Sequence, residues 1–279
     1  MNFDLNNFAS FGVAGNFTGH LEQAGEAVDF AKLKVTDANA PKALFPTYIP
    51  AGNASPDFLK TFPFSHDTII FPKGETKLQI EPECAVLFSV VWEGEKITEL
   101  KPESFGASND CSIRKEGAKK ISLKKNWGKC SKGLSENLIP LNDFSQNGLL
   151  NSYRIASFLI RNGIVFEYGE DSAVRDYSYV YSRLVDWIKD RLNNQSDEGP
   201  QEKIGEYLVS AGKPEKLLIS IGATRYTEYG KTNFLQNNDI ACVVLYPENK
   251  YSAEDIKKMA ETGNFSASDI SALVQRVVL

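Results

Sequence analysis

The chain has 279 residues, is 42% hydrophobic, and carries a net charge of −5, enough apolar material for one large buried core. That charge excludes the broad basic surface that a nucleic acid or an anionic membrane would require. Four scattered cysteines (Cys84, Cys111, Cys130 and Cys242) lack C-x-x-C spacing, which suits a reducing compartment better than a disulfide scaffold.

The N-terminus MNFDLNNF has neither a basic nor an apolar leader region. The longest apolar run, CAVLFSVVW, is too short to span a bilayer. Both features predict a soluble cytoplasmic protein. Residues 12–26, GVAGNFTGHLEQAGE, hold four glycines and no long apolar stripe. They predict a segment with little buried area, ordered mainly by ligand.

The first strong strand is LQIEPECAVLFSVVW. A side-chain period of two puts Glu81 and Glu83 on one face. Two carboxylates entering a core need a positive partner. Glu93-Gly94 then marks a turn into EKITEL, which predicts a hairpin. Asp110 follows in SNDCSIR as a third carboxylate. With only His20 and His66 present, a His-rich zinc site is excluded, and an oxygen-ligand site for Mg²⁺ or Mn²⁺ is the metal alternative. The competing interpretation is a solvated strand edge whose ladder is broken by Pro82. The lysine-rich run 115–132 suits a solvated loop with one functional lysine.

Asn162-Gly163 between two apolar runs predicts a second hairpin with a type I′ turn. Val180, Leu184, Ile188 and Leu192 form one stripe and predict a helix over 178–192. Polar residues 193–203 read as a surface excursion, and KLLISIG and DIACVVLY as buried strands. In the tail, Ser252 and Ser266 stand three residues before Asp255 and Asp269, which predicts two capped helices.

The ordered set of segments resembles the fumarylacetoacetate hydrolase superfamily across roughly residues 11–246. GVAGNFTGH is similar to the family's Asn-aromatic-x-x-His lid, and Glu81-x-Glu83 opens the strand that carries its metal ligands. FGASNDCSIR is similar to the segment holding a third carboxylate and an arginine. GKCSKGLSENLIPL, RNGIVFEYGE and LLISIGAT are similar to its lysine segment, Asn-Gly hairpin and Gly-rich turn.

The resemblance implies a single domain over 1–279 with a mixed β/α fold: a rolled, mostly antiparallel β core with a few packed helices. Within it lie a lid and entry region (1–75), a metal-binding core (76–246) and a C-terminal helical extension (247–279). It further implies Mg²⁺ or Mn²⁺ held by Glu81, Glu83 and Asp110, catalysis by His20, Glu22 and Lys129 (Lys125 being the rival lysine), and substrate binding by Arg114, Glu167 and Thr224. The implied activity is metal-dependent hydrolysis, decarboxylation or tautomerisation of a small dicarbonyl or keto acid through a stabilised enolate, by a homodimer.

Departures from the family pattern are specific. Gln23 replaces the carboxylate expected three residues after His20, with Glu22 and Glu26 nearby, and Gly117 stands where a glutamine is usual. The Gly-rich turn reads Ile221-Gly222-Ala223-Thr224, and Glu167 replaces a glutamine. They imply a divergent branch, alternatively one that binds a metal and a small carboxylate without turnover.

Overall fold

The computed structural model describes residue 4 and residues 7–30, 37, 39–115 and 117–279. Its principal strands are β1 (Phe8–Ala14), β2 (Ala43–Tyr48), β3 (Thr68–Ile70), β4 (Pro82–Glu93), β5 (Lys96–Asn109) and β6 (Lys132–Leu134). After these come β7 (Tyr153–Arg161), β8 (Ile164–Ala173), β9 (Lys216–Ala223), β10 (Ile240–Pro247) and β11 (Ser271–Val278). The helices are α1 (His20–Gln23), α2 (Tyr181–Asn194), α3 (Ile204–Ser210), α4 (Glu228–Thr232) and α5 (Ala253–Thr262).

Two sheets carry the core. One runs β2-β1-β9-β4-β5-β6, with short strands beside β5 and β6, and the other runs β8-β7-β10-β11-β3. Most neighbours are antiparallel, and β1 with β9 is a parallel pair. This is the mixed, antiparallel-rich architecture the sequence implies. Strand β4 lies in the interior of the larger sheet, paired to β9 and β5, so its apolar run is used on both faces. The β4–β5 hairpin turns at Gly94, and the β7–β8 hairpin at Asn162 (φ 53°) and Gly163 (φ 78°), the positive φ pair that a type I′ turn demands.

Helix α2 buries Leu184, Ile188 and Leu192; each such burial contributes about 1.5–3 kcal/mol. Ser252 and Asp255 form the expected reciprocal cap on α5. The second tail helix does not form: residues 271–278 are strand β11, which inserts between β10 and β3. Here Ser271, Leu273, Gln275 and Val277 alternate inward. Buried Gln275 receives a hydrogen bond from Asn109 and donates to backbone carbonyls of Ser65, Thr68 and Lys132. A polar residue at an inward position disguised the period of two.

Two other expectations are corrected. Within residues 12–26, Val13, Ala14, Phe17, His20 and Leu21 are buried, because β1 extends to Ala14 as an interior strand. Asn16 also ties the segment down, donating to the carbonyls of Tyr179 and Ile221. The connector 193–203 is likewise no simple surface excursion, since Gln195, Gln201 and Glu202 are buried. Gln195 Nε2 donates to the carbonyls of Leu44 and Glu202.

Candidate active site

The end of the β4–β5 hairpin gathers the carboxylates. Pro82 pairs with Asn109 and Glu83 with Ser108, while the Asp110 amide donates to the Glu81 carbonyl. Asp110 therefore stands beside Glu81 across the ladder. Glu81, Glu83 and Asp110 are all buried, and one oxygen from each lies within 4.8 Å of the others. Among the described residues this is the one acidic group so arranged.

Positive charge surrounds the cluster. Lys125 Nζ is 2.5 Å from Glu81 Oε2 and 2.7 Å from Asp110 Oδ2, and Lys132 Nζ is 3.0 Å from Asp110 Oδ1. Arg114 lies 2.8 Å from Glu81 Oε1 and 2.8 Å from Glu26 Oε1. Lys124 reaches the same Glu26 oxygen at 2.9 Å. Glu26, Glu81 and Asp110 thus pair with four cations, Arg114, Lys124, Lys125 and Lys132, while Glu83 accepts from a backbone amide, so cations at least match the ionised acids.

The environment separates the acids. Burial opposes ionisation of Glu81, but Lys125 and Arg114 outweigh it and hold that carboxyl well below its ordinary value. Burial, reinforced by the neighbouring charges of Asp110 and Glu81, drives Glu83 well above its ordinary value. Burial likewise opposes a charged Glu26, yet Arg114 and Lys125 bring it below the usual range. Lys125 is raised because Asp110 and Glu81 exceed its burial penalty, whereas burial dominates at Lys132 and lowers it. Acids pushed apart in this way are a feature of proton-transfer sites.

His20 stands at the start of α1, 4% exposed, with Nδ1 2.8 Å from the Thr224 carbonyl. A carbonyl only accepts, so Nδ1 carries the proton and the neutral ring keeps its lone pair on Nε2. Burial lowers the His20 pKa, favouring that neutral form. The Thr224 hydroxyl is buried without a hydrogen-bond partner. Gly222, at φ 125°, donates its amide to Glu83 Oε2 at 2.7 Å. That φ suits glycine, and a Cβ there would lie 3.0 Å from Asn16.

Two cavities meet at Glu26. An inner one of about 20 Å³ is lined by His20, Glu26, Glu81, Glu83 and Lys125; it has room for about one water. Outside it lies a cleft of about 520 Å³ lined by Lys77, Arg114, Lys115, Lys124 and Lys231. Glu26 is the single carboxylate among the described residues that line this cleft.

Three expected site residues lie elsewhere. Lys129 is exposed, and Lys125 and Lys132 supply the lysines at the carboxylates. Glu22 is exposed on α1; Glu26 faces inward instead, because the chain reverses through Gly25 (φ 71°). Glu167 points to the surface and pairs with Lys257. Arg114 and Thr224 belong to the site, with Gln79 and Tyr226 accepting from Arg114. Sequence reasoning missed Lys132, whose available signal was its place at the head of the buried strand Lys132–Leu134.

The sequence matches the model of a family of unknown function (DUF5718) over residues 26–277. The chain belongs to that family. No curated protein matches it in sequence. Solved structures with the same fold include Cg1458 bound to an inhibitor, at 14% identity and TM-score 0.57, covering 97% of this chain and 76% of the other. A protein of Oleispira antarctica described as a fumarylacetoacetate isomerase/hydrolase superposes at 14% identity and TM-score 0.54, with 97% and 93% covered. For 5-carboxymethyl-2-hydroxymuconate delta-isomerase of Mycobacterium smegmatis the values are 14%, 0.51, 97% and 78%. The fold is therefore that of fumarylacetoacetate hydrolase-family proteins. Among the described residues, no helix is long and apolar enough to cross a membrane.

Proposed function

We propose that this chain is an enzyme acting on a small acidic dicarbonyl or keto acid, whose enolate is stabilised at the carboxylate–lysine centre. The observation that carries the reading is the buried cluster of Glu81, Glu83 and Asp110 with Lys125 and Lys132, beside a cleft lined by five cations. Such a cleft favours an anionic ligand. The isomerase and hydrolase descriptions of structures sharing this fold support it.

Within this reading Arg114 and Lys124, with Lys77, Lys115 and Lys231, draw the substrate carboxylate into the cleft. The unpartnered Thr224 hydroxyl is free to donate to a substrate oxygen. Neutral His20, with its Nε2 lone pair, takes or returns the proton next to the carbonyl. Lys132, fixed on Asp110, places positive charge where enolate oxygen develops.

The donor set fits a hard divalent ion: three carboxylates converge, and Glu81 Oε1 and Asp110 Oδ2, though ion-paired, lack aligned hydrogen-bond donors. Glu81, Glu83 and Asp110 would hold Mg²⁺ or Mn²⁺, which supplies Lewis acidity to a chelated dicarbonyl. The test is steady-state turnover of oxaloacetate, acylpyruvates and fumarylpyruvate with and without Mn²⁺. Turnover of one of them supports the reading, and none with any rejects it. One observation favours a second reading, ligand binding without turnover: the partner of His20 Nδ1 is a carbonyl rather than a carboxylate, with Gln23 engaged on the Tyr226 backbone instead.

A further inference from the structure

Lys125 differs from Lys132, the other lysine on the carboxylates, in where it is anchored. Lys132 begins strand β6, and its ammonium also donates to the Cys111 carbonyl, so it is part of the sheet. Lys125 instead caps the short 3-10 turn Ile121–Lys124, in the loop that leads into β6. That loop is nonetheless pinned. Asn126 donates to the carbonyls of Thr47 and Thr61, and Ser122 donates to Glu202. The Lys125 ammonium lies 5.1 Å from the centre of the Phe45 ring and is buried, so its reach between Glu81 and Asp110 is built into the fold.

We infer that Lys125 is an internal cation that competes with a divalent ion for the carboxylate centre. The inference rests on the metal reading above and adds to it a residue that sets the ion's affinity. An ion using Glu81 Oε2 and Asp110 Oδ2 takes the oxygens that Lys125 now holds. With Glu26, Glu81 and Asp110 already matched by Arg114, Lys124, Lys125 and Lys132, two further positive charges are accommodated only if a cation withdraws. Of the two lysines on Glu81 and Asp110, Lys125 is the one whose withdrawal leaves the sheet intact, because Lys132 is part of strand β6. Apparent metal affinity is then reduced by the fraction of time Lys125 is seated. The centre is neutralised by its own cations and takes an ion only when Lys125 releases its two carboxylate oxygens.

Calorimetric titration with Mn²⁺ alone tests this on the full chain, comparing the native protein with Lys125→Met, Lys125→Arg and Glu83→Ala. If Lys125 is seated about nine-tenths of the time, Lys125→Met binds Mn²⁺ at least about tenfold tighter than the native protein. Lys125→Arg keeps the charge and stays near the native affinity, and Glu83→Ala abolishes the gain when combined with Lys125→Met. Equal affinity in the native protein and Lys125→Met overturns the inference while leaving the metal reading standing. No binding in either removes the metal reading and the inference together. Should Lys125→Met not fold alone, Lys125→Gln takes its place in the titration. A larger rise in melting temperature with Mn²⁺ for Lys125→Gln than for the native protein supports the competition, and an equal rise rejects it.

Discussion

The two sheets use their buried polar groups in opposite ways. In the sheet β8-β7-β10-β11-β3, buried polar side chains are neutral amides and hydroxyls with hydrogen-bond partners, such as Gln275, Ser157 and Ser271. Its ion pairs, Arg154 with Asp171 and Lys257 with Glu167, remain partly exposed, and Arg161 with Asp239 buries the acid but leaves the guanidinium partly exposed. The sheet containing β4 and β5 instead ends in a knot of buried acids and lysines. Burying charge is costly even when it is paired. The contrast teaches that the first sheet is organised for stability, whereas the second accepts an energetic penalty that chemistry at the hairpin end explains.

Breaking that contrast should have unequal consequences. Asp110→Ala strips the acid from both Lys125 and Lys132 and leaves buried ammoniums facing each other. A loss of about 3–5 kcal/mol is expected in denaturant unfolding. An effect under about 1 kcal/mol would mean the charges are not buried together in solution. In the other sheet, Leu245→Ala in fully buried β10 should cost about 2–5 kcal/mol through lost packing and a cavity. That loss should be indifferent to salt and pH, unlike the Asp110 change.

A third prediction concerns pH and sharpens the comparison from within the site's support. Burial lifts the Glu202 carboxyl from 4.5 to about 7, with Ser122 donating to it. A raised acid stabilises the fold while it is protonated. Its contribution is complete below about pH 4.5 and is lost as pH climbs through about 7, amounting to about 3 kcal/mol. Urea midpoints measured from pH 4.5 to 8 should therefore fall, and Glu202→Gln should flatten that slope. Identical slopes in both proteins would contradict this environment. The smallest effect belongs to the exposed Glu167–Lys257 pair: Glu167→Ala should alter stability by less than about 1 kcal/mol and leave ligand binding unchanged in calorimetry.

Legibility in the sequence followed the same division. Glu81-x-Glu83 was readable because extended chain has a fixed period of two, and the Asn162-Gly163 and Glu93-Gly94 turns because backbone sterics limit which residues fit. The α2 stripe was equally plain. Strand β11 was not, since Ile270, Leu273, Val274 and Val277 satisfy helical spacing while a buried Gln275 interrupts the alternating pattern. Within the site, the choice among Lys125, Lys129 and Lys132 escaped sequence reasoning because loop conformation imposes no period. Glu26 rather than Glu22 faces the centre for a similar reason: the turn at Gly25, not helical periodicity, aims it.

The central claim is that the carboxylate–lysine centre with neutral His20 moves a proton next to a carbonyl. The most direct measurement is nuclear magnetic resonance of oxaloacetate, pyruvate and acylpyruvates in D₂O with Mn²⁺ replaced by diamagnetic Mg²⁺, following loss of the proton signal at the carbon beside the keto group. The account predicts exchange well above the enzyme-free rate for at least one of these acids, falling by about 10²–10⁴-fold in His20→Ala. Exchange at the enzyme-free rate for every acid, or exchange that His20→Ala leaves intact, would contradict it.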